Sequence, residues 1–390
     1  MPWRVTSPMD ERSRFIAEYQ TSLFTMTELC EQFGISPKTG YKLLHRYERE
    51  GSIGLLDRSR RPHTSPTATG ADVVNAVLAC RKNHPHWGPK KLLAYLQRHQ
   101  PRLRPADRWP GVSTVARILA QHGCVAASVP ARRRWPSVAA HRTPSPAPNA
   151  RWTVDYKGEF RTGDGRWCYP LTVMDACSRY LLACQGFVGP TDAATRATFR
   201  RAFEIYGVPE RIRSDNGIPF AGPGLAGLSP LAVWWIRLGI ELERIDRGHP
   251  EQNAEHERMH RTLKAETTRP PAATLRQQQR RFARFQREYN TERPHEALGL
   301  EVPASLYVVS SRVYPRRMPP IEYPGHFDVR RVYSHGDIRW RNRRLFVSQA
   351  LAHEYVGLEE VDDGIWDLCF ASMRLARLDQ RTGALHPRPA

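Results

Sequence analysis

The chain has 390 residues, enough at about 150 per domain for two or three domains and at least one full hydrophobic core. Lys and Arg total 59 against 39 Asp and Glu, a formal charge of +20, which calls for an anionic partner or substrate. Nucleic acid is the first expectation, because a chain that neutralises many phosphates gains from released counterions. A membrane surface competes, but the longest apolar runs, such as Leu231 to Ile236, are a few residues long against about 20 for a spanning helix, so no membrane partner is expected.

Met1 to Arg14 contain no apolar leader segment, and seven Cys form an odd set without a C-x-x-C pair. These features predict a cytoplasmic, nucleoid-associated protein with reduced thiols. Cys80, His84, His86 and Cys124 fit no common zinc spacing. Pro-rich stretches at Arg58 to Ala71, Val129 to Asn149 and Tyr314 to Pro324 punctuate the chain. They predict a helical module at 1–65, a second at 66–130, a linker at 131–149, a central domain at 150–311 and a basic, β-rich domain at 312–390.

The first module reads as helices at 10–20, 26–33 and 37–50, with Gly34 at the tight turn and Ser36-Pro37 as N-cap and first helical residue. This is helix-turn-helix grammar. Its last helix is expected to bury Leu43, Leu44 and Tyr47 and to leave Lys38, Thr39, Tyr41, Lys42 and Arg46 for a DNA major groove. In the second module, Trp87-Gly88-Pro89 opens a helix carrying Leu92, Leu93 and Leu96. Ser113 is expected to cap another with Val115, Ile118 and Leu119 inside and Gly123 as its stop.

The central region starts with Trp152-Thr153-Val154-Asp155-Tyr156, a strand-like run with an acid within it. Strands follow at 168–175 and 180–187, then a helix at 192–206, a strand at 211–215, a helix capped by Ser229-Pro230 and stopped by Gly239, and a strand at 241–245. This order predicts a mixed sheet flanked by helices. Residues 251–289 are helical, with a break at Pro270-Pro271. Glu257, Arg261 and Lys264 fall at i, i+4 and i+7 on one face, where a carboxylate and two cations can meet a metal and a phosphate, although such stripes are also ordinary solvated faces.

Four strings in order, Trp152-Thr-Val-Asp155-Tyr-Lys157, Arg213-Ser-Asp215-Asn-Gly217, Gly248-His-Pro-Glu-Gln-Asn253-Ala-Glu-His-Glu257-Arg-Met-His-Arg-Thr-Leu-Lys264 and Tyr289-Asn-Thr-Glu-Arg293-Pro-His-Glu-Ala-Leu298, resemble insertion-sequence transposases with a retroviral-integrase-type core. The resemblance extends to the upstream helix-turn-helix modules and more loosely to the C-terminal segment. It implies a multidomain protein of all-α helix-turn-helix modules, a central α/β ribonuclease H-like integrase core and a small C-terminal β-barrel-like domain. It further implies an Asp-Asp-Glu triad, two Mg²⁺ ions with Mn²⁺ as a substitute, and DNA strand transfer.

Position by position, the resemblance makes Asp155, Asp215 and Glu257 both catalytic residues and metal ligands. Glu251 lies closer to the usual spacing after Asp215, but Glu257 occupies the motif place before Arg-Met-His, and the Gly- and Pro-rich insert at 221–230 accounts for the added length. Ala254 replaces the Gly often found after this Asn. Asp164, Asp175 and Glu255 are read as structural, Asn216 and His260 as supporting residues, and His249 and His256 as surface or packing residues. Arg261 and Lys264 would lie along DNA.

The expected partners are double-stranded DNA, as element terminal repeats and as target, and a second copy of the chain, since two ends must be held together. The expected activity is cleavage at the 3′ ends of the element and joining to target DNA. A transposase-derived DNA-binding regulator without strand transfer is the alternative. In the tail, short strands are expected at 326–333, 337–346, 353–358, 365–370 and 373–378. Nine Arg against three acids between Arg312 and Arg344 suggest a non-specific DNA clamp.

Overall fold

The computed structural model describes residues 7–59, 68–103, 109–125, 145–246 and 249–387, with residues 250, 251 and 387 described in backbone only. Most of the expected linker at 131–149 lies outside these. The chain divides into two compact units, Met1–Ala68 and Thr69–Ala390.

The first unit is three helices, α1 (Pro8–Gln20), α2 (Met26–Gln32) and α3 (Pro37–Glu50). Side chains set each start: Ser7 with Asp10 and Thr25 with Glu28 form reciprocal capping boxes, and the Ser36 hydroxyl accepts from the Thr39 N–H ahead of Pro37. Phe15, Ile16, Leu29, Cys30, Leu43 and Leu55 fill the core. Gly40 costs α3 some helix propensity, yet a Cβ there would lie 2.6 Å from Cys30 Sγ and 2.8 Å from Met26 Sδ, so the close approach of α2 and α3 requires it.

The second unit begins with α4 (Ala71–Asn83), α5 (Pro89–His99) and α6 (Val112–Gln121) around Val77, Trp87, Leu92, Leu96, Val115 and Leu119. The N-cap of α6 is Gly111, not Ser113, which sits inside the first turn. A six-stranded sheet follows: β1 (Trp152–Tyr156), β2 (Phe160–Arg161), β3 (Trp167–Asp175), β4 (Leu181–Phe187), then α7 (Asp192–Tyr206), β5 (Arg211–Ser214), α8 (Pro230–Arg237) and β6 (Glu241–Arg244). Its order is β2-β3-β1-β5-β6, with β4 on β3; β1 runs antiparallel to β3 and parallel to β5. The remaining helices are α9 (Ala254–Thr267), α10 (Leu275–Thr291) and the single turn α11 (Pro303–Leu306).

Strand alternation assigns the two sheet faces. Trp152, Val154, Leu171 and Val173 point toward Phe199, Phe203, Trp234 and Trp235 of α7 and α8. Cys168, Met174, Leu181 and Cys184 meet Met259 and Leu263 of α9 and Phe282, Phe285 and Tyr289 of α10. On the outer strand β4, amide side chains of α10 take the backbone groups. Gln279 accepts from Gly186 N and donates to Cys184 O, Gln286 donates to Leu181 O and Leu182 O, and Asn290 accepts from Leu181 N and donates to Leu181 O, all at 2.8–3.1 Å.

The C-terminal segment holds β7 (Asp328–Arg331), β8 (Asp337–Trp340), β9 (Arg343–Phe346), β10 (Tyr355–Asp362), β11 (Ile365–Phe370), β12 (Met373–Asp379) and β13 (Leu385–Pro387). An antiparallel sheet β13-β12-β11-β10-β7 stands beside a separate β8–β9 hairpin. The expected single strand at 337–346 is that hairpin, because Arg341 and Asn342 both take positive φ, as a two-residue turn of this kind demands. Helix α8 serves two cores at once: Leu231, Trp234 and Trp235 pack under the central sheet, while Ala232, Val233 and Ile236 pack against Ile338, Leu358 and Phe370. A helix buried all round explains the unbroken Leu231–Ile236 run.

Candidate active site

The faces of β1 and β3 that point away from α7 carry polar residues near one end: Thr153 and Asp155 on β1, Thr172 on β3. Asp155 lies opposite Thr172 in register and its side chain is 24% exposed. Its pKa is pushed up to about 7, first by burial, then by the negative charge of Asp215 and, more weakly, of Glu257, with Lys157 working the other way.

Asp215 follows the last residue of β5 and accepts a hydrogen bond from Gly217 N at 3.2 Å. A Cβ on Gly217 would stand 3.1 Å from its carboxylate, so a larger residue there would press on the Asp215 side chain. Burial raises the Asp215 pKa, opposed by the Gly217 N–H and by Arg244, whose guanidinium donates to Gly227 O at 2.7 Å. Asn216 donates to Ile245 O at 2.7 Å and ties the ends of β5 and β6 together. Parallel pairing of β1 with β5 sets both acids at neighbouring strand ends.

Glu257, Arg261 and Lys264 are all exposed, on the same face of α9. The adjoining face is buried and includes His256 and His260. His256 touches both strands, with Nδ1 2.8 Å from Thr153 Oγ1 and Nε2 2.7 Å from Thr172 Oγ1. His260 Nε2 is 2.7 Å from the same Thr172 Oγ1, and its Nδ1 faces Asp155 Oδ2 at 3.6 Å. Burial holds both imidazoles neutral, with the His256 pKa down to about 3.

The other acids are engaged elsewhere. Glu255 pairs with Arg179, Asp164 accepts from the Thr162 hydroxyl, and Asp175 takes three donors, Asn149 N, Ser178 N and Ser178 Oγ, at 2.6–2.7 Å. Glu251 lies in a short 3₁₀ turn, and its side chain is outside the described residues. On α3, Lys38, Thr39, Tyr41 and Lys42 are exposed, whereas Arg46 is half-buried and donates to Leu56 O. Arg46 is thereby occupied in bracing the end of the first unit.

Sequence reasoning passed over Thr153, Thr172, Lys157 and Arg244, and it placed His256 at the surface or in plain packing. The one available signal was polar residues at alternate positions of otherwise apolar strands. Among the described residues, no group of three or more His, Cys, Asp or Glu side chains forms a ready-made metal cage. The oxygen donors available there to a hard divalent cation are two half-buried carboxylates with raised pKa values, Asp155 and Asp215, and the exposed Glu257 on α9.

The integrase core domain family matches residues 145–250 and 238–303, a helix-turn-helix domain 11–63, a homeodomain-like domain 39–119, and the IS481 family transposase C-terminal domain 327–385. A similar protein is an insertion element IS407 uncharacterized 31.7 kDa protein from Burkholderia multivorans, 27% identical over 161 residues. The match covers 41% of this chain and 56% of that one, so it spans little more than half of that relative. Similar solved structures include the HTLV-2 integrase catalytic core domain in complex with magnesium (15% identity, 42% of this chain and 99% of that chain, TM-score 0.34). Another is the simian T-cell lymphotropic virus intasome in complex with PP2A regulatory subunit B56 gamma (15% identity, 80% of this chain and 99% of that chain, TM-score 0.37).

The chain is thus an integrase-core protein with helix-turn-helix domains before the core and a β-rich domain after it. By these matches the chain is similar to insertion-element transposases. Among the described residues, no helix is long and apolar enough to cross a membrane.

Proposed function

We propose that the chain binds the terminal inverted repeats of a mobile element, cleaves at their 3′ ends and joins them to target DNA. The observation that carries this reading is the Asp155 carboxylate, half-buried at a strand end and facing the like charges of Asp215 and Glu257. Asp155 and Asp215 would hold two Mg²⁺ ions from the sheet side, and Glu257 would close the set from α9. When bound, the ions would help a water or a 3′-hydroxyl attack phosphorus and stabilise the departing oxygen.

Arg261 and Lys264 extend along α9 from Glu257, so they orient the phosphate backbone past the acids. Lys38, Thr39, Tyr41 and Lys42 on α3 face solvent for the repeat. In the C-terminal segment, exposed Arg331, Arg339 and Arg343 add non-specific hold on DNA, beside Arg330 and Arg344, which also pair with Asp328 and Asp337. Arg312 is otherwise engaged, donating to Leu238 O and Gly239 O at 2.8 Å. A pair of protomers on DNA brings two ends together.

The test is Mg²⁺-dependent cleavage and joining on a labelled duplex carrying the terminal repeat, with Glu257→Gln and Glu251→Gln in parallel. Loss of both reactions only in Glu257→Gln supports the acid set. Loss only in Glu251→Gln moves the third carboxylate to the 3₁₀ turn. Wild-type protein that binds ends without cutting them identifies a regulator.

A further inference from the structure

Thr172 Oγ1 stands 2.7 Å from two imidazole nitrogens, His256 Nε2 and His260 Nε2. A hydroxyl carries one proton, and Thr172 Oγ1 has three neighbours that could take it: the two rings and, at 3.1 Å, the Asp155 backbone carbonyl. Either one ring accepts that proton while the other donates, or both rings donate Nε2–H and the proton goes to Asp155 O. If His260 Nε2 carried the proton, its bare Nδ1 would face the Asp155 carboxylate, lone pair against lone pair. With Asp155 ionised, only the other polarity puts a donor there.

In that polarity the four side chains form one directed path, and the Met174 and Asp155 carbonyls beside the two hydroxyls do not receive those protons. Thr153 O–H donates to His256 Nδ1 (2.8 Å), His256 Nε2–H donates to Thr172 Oγ1 (2.7 Å), Thr172 O–H donates to His260 Nε2 (2.7 Å), and His260 Nδ1–H points at Asp155 Oδ2 (3.6 Å). The final contact is longer than a hydrogen bond, and contacts of this kind tighten when an active site is assembled. Thr153, Thr172 and both rings are buried, so water does not compete for these bonds.

We propose that Thr153, His256, Thr172 and His260 are positioning residues: a one-way hydrogen-bond chain that delivers an N–H to Asp155 and ties its carboxylate to the helix bearing Glu257. The inference rests on the reading of Asp155 as a metal-holding acid. Because His256 immediately precedes Glu257 and bridges β1 to β3, the chain also fixes where α9 begins relative to the strand acid. Groups one step behind metal-holding side chains set their orientation and basicity in this way.

The experiment uses the full chain with ¹⁵N-labelled histidine, Mg²⁺ at pH 8.5, and the variants Thr172→Val, Thr172→Ser and Asp155→Asn. Two-bond ¹H–¹⁵N correlations should show His256 as the Nε2–H tautomer and His260 as the Nδ1–H tautomer. Thr172→Val should lower the cleavage rate roughly 10–100-fold with end binding unchanged, and Thr172→Ser should recover most of it. Both rings in the Nε2–H form would overturn the proposal, even should Thr172→Val prove too unstable to assay. So would a stable Thr172→Val protein that cleaves at the wild-type rate while Asp155→Asn is inactive. Cleavage by Asp155→Asn itself would remove the acid assignment underneath.

Discussion

Asp155 and Asp175 occupy neighbouring antiparallel strands, Asp155 opposite Thr172 and Asp175 opposite Trp152, and burial raises the pKa of both. They differ in what answers that burial. Asp175 receives three hydrogen bonds from Asn149 and Ser178, so its own chain compensates the carboxylate and locks the turn after β3. Asp155 has one imidazole nitrogen at 3.6 Å, and the partial relief from Lys157 and the Tyr156 N–H is outweighed by burial and the neighbouring acids. Burial alone does not mark a working carboxylate; the marker is a charge whose compensation must come from outside the chain.

The comparison breaks first on activity. Asp155→Asn should lose cleavage and joining by roughly 10³-fold or more, while Asp175→Asn should stay within a few-fold of wild type at a temperature where it is folded. Equal losses in gel-resolved time courses would erase the distinction. Stability should show the opposite ranking: Asp175→Asn leaves buried donors unmet and should cost about 1–3 kcal/mol in urea melts.

A pH series sharpens the contrast. The folded-state pKa of Asp155, about 7, exceeds its ordinary 3.8, so folding favours its protonated form. Its contribution to stability is full below about 3.8 and is lost as pH rises through about 7. With chelator present, Asp155→Asn should therefore gain in Tm over wild type between pH 4.5 and 8, and parallel curves would contradict the assigned burial. The smallest effect is Ser178→Ala, which removes one donor to Asp175 but keeps the backbone N–H, at about 1 kcal/mol.

Much of this was legible in the sequence because the signals are local. Alternation in Trp152–Asp155, the Ser36-Pro37 start and the Glu257, Arg261, Lys264 stripe each depend on residues within a few positions of one another. The histidine contacts were not legible, since His256 reaches Thr153 and Thr172 across 103 and 84 residues. Arg46 read as a groove residue because nothing in α3 announces that Leu56 O will capture its guanidinium. The 337–346 segment read as one strand because Arg341 and Asn342 adopt positive φ without the usual glycine.

Gln279, Gln286 and Asn290 have a consequence for how copies of this chain can meet. A bare outer strand is a template on which another chain can lay its own backbone. Here the amides of α10 hold the polar groups of Leu181, Leu182, Cys184 and Gly186. Two cores therefore cannot merge into one continuous sheet through β4 without first prising off α10, and any pairing on that flank must be made by side chains.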